Sequence, residues 1–172
     1  MHVLGIHVDG KSLKMALLEG KGGRIHVEFL KEFPHDSNQI YVKPFDTIAP
    51  FLKEKSAVIV SGLDAWEVTI RKLELKILRK SKILKTLPFQ VESQIPYPLE
   101  QAILSIELFK TAQKSTDVLL AATSTLKLQE HLTQHSVYGI DPDHVHCSPK
   151  ALHAFTNFVF PAASSRLVFH FG

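Results

Sequence analysis

Residues 4–19 read LGIHVDGKSLKMALLE. Two apolar runs, 3–8 and 13–18, flank the pair Asp9-Gly10. Asp-Gly between apolar runs is a strong short-range hairpin signal, because tight turns need residues that tolerate positive φ. A second turn, Glu19-Gly20-Lys21-Gly22-Gly23, leads into 24–32. Period-two alternation there sets Ile25, Val27 and Phe29 on one face and His26, Glu28 and Leu30 on the other. The chain therefore opens as a three-stranded β-meander.

Working outward, a loop rich in turn formers (Pro34, Asp36, Ser37, Asn38) precedes an expected helix over 46–55 and a buried strand over 57–60. Residues 67–75 alternate as a strand. Ser81 is the expected N-cap of a helix over 82–94, with Ile83, Leu84, Leu87 and Val91 on its apolar side. Pro88 predicts a kink or break there, since proline lacks the amide that the helix needs. Pro96 and Pro98 close that segment. Strands follow over 103–109 and 117–123, then a helix over 124–135 stopped by Gly139, and a strand over 140–146. Pro149 suits the first position of a helix over 150–158. A last apolar strand covers 166–172. The expected class is mixed α/β, with units 1–64, 65–147 and 148–172, and the middle unit a β-α-β-β-α-β subdomain.

The 172 residues are 45% hydrophobic and 22% charged, ordinary for a globular protein with a core of useful size. No apolar run reaches the roughly 18 residues that span a bilayer. MHVLGIHVDG lacks the basic start of a signal peptide. One cysteine, Cys147, precludes an internal disulfide and fits a reducing compartment, so the expected location is the cytoplasm. A net charge of +3 does not imply nucleic acid. It is compatible with an anionic lipid surface or an acidic protein partner.

Four passages then carry a resemblance: GIHVDGKSLK (5–14), VTIRKLEL (68–75), VESQIPYPLEQAILSIELF (91–109) and the long run from Asp117 to Phe155. In order and spacing they resemble the PilM family of type IV pilus assembly proteins and its relative GspL of type II secretion, both actin-like and more distantly related to FtsA. The third passage is similar to the family's acidic helix, Ile-Pro-Phe-Pro and strand. The resemblance implies an actin-like (ribonuclease H-like) lobe with a small inserted subdomain. It also implies that RLVFHFG (166–172) opens a second lobe, so that this chain is a fragment of a longer protein.

In such proteins nucleotide lies between two lobes, held by two Asp-Gly hairpins. The resemblance puts His7 at the Asp position, Asp9 where a Gly belongs, and Lys14 at the phosphate-facing Lys. His170 again replaces Asp, and Gly172 is retained. Histidine cannot offer the hard anionic oxygen that Mg²⁺ prefers, and a carboxylate at a glycine position repels phosphate. Lys14, Asp9 and Gly10 thus form a degenerate phosphate hairpin. ATP and Mg²⁺ are disfavoured, no catalytic residue is assigned, and Asp9-Gly10 reads first as a turn.

Arg71, Lys72, Lys76, Arg79 and Lys80, continued by Lys82 and Lys85, are the strongest charge cluster. They form either a solvated face or a contact for anionic lipid or an acidic partner. Aromatic residues do not interleave with them, which disfavours nucleic acid. Phe89, Ile95 and Tyr97 flank the proline turn. In the family, the groove beside this lobe accepts an extended N-terminal peptide of a bitopic membrane protein; the alternative is that these residues close the lobe's own core. His144, His146 and Cys147 are metal-ligand types, as are His131 and His135 four apart on a helix, but no complete ligand set is spaced for zinc and no metal is assigned.

The expected function is a non-enzymatic cytoplasmic scaffold at the inner-membrane face, GspL-like rather than PilM-like. It would join a bitopic assembly protein to a secretion or pilus ATPase. The alternatives are an active PilM-like or FtsA-like nucleotide-binding protein, or a kinase-like enzyme of the same superfold.

Overall fold

A computed structural model describes residues 1–9, 12–34, 49, 57–110, 115–161 and 168. The expected helix over 46–55 and strand over 166–172 lie outside these residues, as do Gly10, His170 and Gly172. The meander forms as expected, from β1 (His2–Val8), β2 (Ser12–Lys21) and β3 (Arg24–Pro34). Gly22 and Gly23 turn β2 into β3 with φ of 60° and 74°. Positive φ at both central residues matches the right-handed twist of the flanking strands, and glycine adopts it without steric cost.

One detail of β3 departs from simple alternation. Leu17 opposes Phe29 while Leu18 opposes Val27, leaving Glu28 as the extra residue of a β-bulge. The bulge turns Phe29 onto the core side, and Ile25 and Val27 stay 48% and 63% exposed. The three apolar residues of β3 therefore do not share a face.

β4 (Val58–Leu63) pairs parallel to β1, and β8 (His144–Cys147) pairs parallel to β4. The result is a mixed five-stranded sheet of order β3-β2-β1-β4-β8. Leu4, Ile6, Leu13, Met15, Leu17 and Ile140 form its core. The helix α2 (Thr125–Val137) accompanies this sheet. Ser124 caps it by accepting the Lys127 amide at 3.2 Å. Its other end is a Schellman motif: Ile140 N–H bonds His135 O, Gly139 N–H bonds Ser136 O, and Gly139 has φ 71°.

The second sheet is antiparallel, of order β5-β7-β6, from β5 (Thr69–Leu75), β6 (Ala102–Lys110) and β7 (Thr116–Ser124). The helix α1 (Lys80–Val91) packs Ile83, Leu87 and Val91 against Val118, Leu120 and Ala122. Its N-cap is Arg79, not Ser81, and the helix runs through Pro88 before tightening to a 3₁₀ turn at Glu92–Gln94. Proline is tolerated there because Leu84, whose carbonyl loses its amide partner, is on the open side and 45% exposed.

The strand near 144 was expected within the unit 65–147; it belongs to the first sheet instead. The Ile59 amide donates to Asp143 Oδ2 at 2.8 Å and Ser148 Oγ donates to Leu63 O at 2.8 Å, so both ends of β8 are fastened to β4. The small lobe is therefore β5, α1, β6 and β7, and the chain returns to the large sheet through α2. A final helix, α3 (Ser148–Val159), follows β8 with proline in its first turn.

Candidate functional site

The tip of the β1–β2 hairpin is held by Asp9. Its Oδ1 accepts the Ser12 amide at 2.6 Å, its own amide donates to Ser12 O at 3.0 Å, and its Oδ2 accepts Lys14 Nζ at 2.8 Å. The hydrogen bond from Lys14 to Asp9 raises the lysine pKa, with Glu32 and Asp64 adding to the effect. Ser12 Oγ donates to Glu32 Oε1 at 2.7 Å, and His7 Nε2 lies 3.7 Å from Asp64 Oδ1. His7 and Lys14 are cross-strand partners on one face of the hairpin. Around them stand three carboxylates, Asp9, Glu32 and Asp64. Among the described residues, these three carboxylates surround one ammonium, Lys14, which is already paired with Asp9.

Metal-ligating side chains come together elsewhere. Among the described residues, His2, Glu19 and Glu28 are the only group of three whose ligand atoms lie within 4.8 Å of one another. They sit at the far end of β1 from His7, with His2 3.8 Å from each carboxylate. The sequence signal missed was the bulge that re-aims Glu28. His144 and His146 share an outward face with ring centroids 6.3 Å apart, and Cys147 is half-buried on the other. His131 and His135 are buried with ring centroids 4.3 Å apart; His131 Nε2 meets Ser61 Oγ at 2.9 Å and His135 Nδ1 meets His131 O at 2.8 Å. Burial, then His135 and His7, lower the pKa of His131 from 6.5 to about 4.

A groove runs between the small lobe and the β8–α3 corner. The inner face of the small sheet is filled by α1, but its outer face carries Ile70, Ile103, Phe109, Leu119 and Ala121. Opposite stand Cys147, Pro149, Lys150 and His153. Two adjoining recesses of about 130 and 220 Å³ share Ser105, Ala121, Cys147 and Lys150. Ile103, Phe109 and Leu119 remain 41%, 50% and 38% exposed, so the groove is an open apolar strip. Lys150 Nζ reaches Glu107 at 3.5 Å and ties its two walls together.

The residues singled out around the proline turn divide. Ile95 is 8% exposed and sits in the core with Val91 and Leu120, which removes it from the candidate partner contacts. Its position after the 3₁₀ turn points it inward. Tyr97 is half-buried against the same cluster, and burial raises its phenol pKa. Phe89 is 78% exposed. Of the basic residues, Lys72 is engaged by Asp117 at 2.8 Å and Arg71 donates to Ile70 O at 2.9 Å. Lys76, Arg79 and Lys80 are exposed.

No helix among the described residues is long and apolar enough to cross a membrane. No protein-family model matches the chain. No curated protein sequence matches it either. Solved structures do. A chain of the PilM–PilN type IV pilus biogenesis complex superposes with TM-score 0.68 and 17% identity, covering 91% of this chain and 51% of its own length. The cytoplasmic domain of EpsL, an inner membrane component of the type II secretion system of Vibrio cholerae, gives TM-score 0.54 and 16% identity over 86% of this chain and 57% of that one. A Bacteroides thetaiotaomicron protein with an actin-like ATPase fold and unknown function aligns at TM-score 0.40 and 9% identity. The chain thus spans about half the length of the structures it matches. The resemblance carried by the opening hairpin and the Ile-Pro-Tyr-Pro passage holds at the level of the fold: this chain is similar in fold to the PilM–PilN complex chain and to the EpsL cytoplasmic domain over the portions they share.

Proposed function

We propose that this chain is a non-enzymatic scaffold of a type II secretion or type IV pilus-like assembly platform at the inner-membrane face, joining a bitopic membrane protein to an assembly ATPase. The open apolar strip of the small sheet, facing α3, carries this reading. An extended peptide laid there covers Ile103, Leu119 and Phe109, while Glu107, Lys150 and His153 offer polar contacts at the rim. The carboxylate-rich hairpin supports a scaffold over a nucleotide-driven device.

The test is a fluorescence-anisotropy titration with the cytoplasmic N-terminal peptide of the bitopic protein of the same machine. Saturable binding is expected, and Ala121→Trp, which fills the groove, is expected to weaken it at least tenfold while circular dichroism stays unchanged. Equal binding by the two proteins would remove the groove from the mechanism. Calorimetry of the full protein with MgATP distinguishes the second reading, an actin-like nucleotide-binding protein with ATP between two lobes. A magnesium-dependent micromolar isotherm would establish that reading and overturn the role given to His7.

A further inference from the structure

The outer side of the small lobe carries a different kind of surface. Between Leu75 and Glu92 the chain contains five basic residues, Lys76, Arg79, Lys80, Lys82 and Lys85, and no acidic one. All five are exposed, and none enters an ion pair among the described residues. On α1 the buried stripe is Ile83, Leu87 and Val91. Lys82, Lys85 and Phe89, at spacings of three and four, therefore line the opposite crest. Phe89 stands 78% exposed on it.

The exposed cations and the protruding phenyl ring of one helix crest, Lys82, Lys85 and Phe89, have two separate demands, for negative charge and for removal from water. A folded acidic partner would have to supply a pocket in register with Phe89. The headgroup boundary of an anionic bilayer meets both demands without registry, because lysine stems bury their methylenes while the ammonium stays with the headgroups. We infer that the α1 crest docks on anionic lipid, lying in the plane of the headgroups with Phe89 inserted. This surface is independent of the groove and stands whether or not the groove takes a peptide.

The test is co-sedimentation of the 172-residue chain with phosphatidylcholine vesicles containing none or about a third phosphatidylglycerol. Binding is expected only to the anionic vesicles and falls with added salt as screening shortens. Each lysine near an anionic surface contributes about fivefold in affinity, so Lys82→Gln/Lys85→Gln is expected to lose about thirtyfold. Phe89→Ala is expected to lose several-fold without changing the salt dependence. Phe89→Trp in a Trp66→Phe background is expected to shift its emission to the blue on anionic vesicles. Equal binding to neutral vesicles, no loss in the double variant, or no blue shift would each overturn the proposal. Binding to soluble polyglutamate as tight as to vesicles, insensitive to Phe89→Ala, would assign the surface to acidic protein instead.

Discussion

Acidification from pH 7.5 to 4.5 is expected to weaken this fold through one buried side chain, His131. It is 6% exposed, and its Nε2 is 2.9 Å from Ser61 Oγ, itself 1% exposed. Removal from water, with His135 and His7 nearby, sets its pKa at about 4 against 6.5 in an open chain. Between those values the unfolded state binds a proton that the folded state refuses. Stability from this group is therefore complete above pH 6.5 and is lost as pH falls toward 4. The full loss is about 3 kcal/mol, of which about 2 kcal/mol has gone by pH 5. His135 is depressed for the same first reason, burial, and adds in the same direction. Against a typical stability of 5–15 kcal/mol this is a large fraction. Urea unfolding at several pH values, on the wild type and His131→Gln, isolates the effect from the carboxylates common to both. The variant's absolute stability is immaterial; its curve is expected to be flatter between pH 6.5 and 4. Parallel curves, or a His131 ring titrating near 6.5 by NMR, would refute the argument.

Two packing predictions follow from the lobes. Ile83 is fully buried between α1 and β7, so Ile83→Ala is expected to cost about 3 kcal/mol by chemical denaturation. Gly139→Ala places a side chain at φ 71° in the Schellman turn and is expected to cost about 1 kcal/mol, with Gly139→Asn costing less.

Local chemistry was legible wherever it decided structure by itself. The meander and the Gly139 stop each depend on a few adjacent residues, and each stands where the sequence places it, whereas Ser124, expected as the first residue of its helix, is the cap. What escaped depends on distant partners. Glu28 bulges because β2 and β3 must each keep their core faces, a condition that alternation within one strand cannot express. Four residues reading HVHC fit any sheet edge; only the anchors Ile59–Asp143 and Leu63–Ser148 select β4. Pro88 does not end its helix, and Leu84, whose carbonyl loses its amide partner, is 45% exposed, which the local sequence does not reveal. The groove did leave a trace. β7 is apolar on both faces, with Val118, Leu120 and Ala122 inward and Leu119 and Ala121 outward, which calls for two covers where α1 supplies one.

The hairpin shows why fold and chemistry can part company within ten residues. Side chains of a strand alternate between faces, so one set of positions carries the core and the other faces outward. On β1 and β2 the inward set is Leu4, Ile6, Leu13, Met15 and Leu17, all buried. The outward pair His7 and Lys14 stands across the ladder, at the positions where the resemblance to the PilM family would lead one to expect a carboxylate and an ammonium. Neither set constrains the other, since exchanging His7 for Asp would leave every core contact in place. To release Lys14 toward a phosphate, the hairpin would have to give up the ion pair at its own tip, and the carboxylate left behind would face the phosphate it displaced. The residues that make the hairpin fold are therefore no evidence, by themselves, for a nucleotide site.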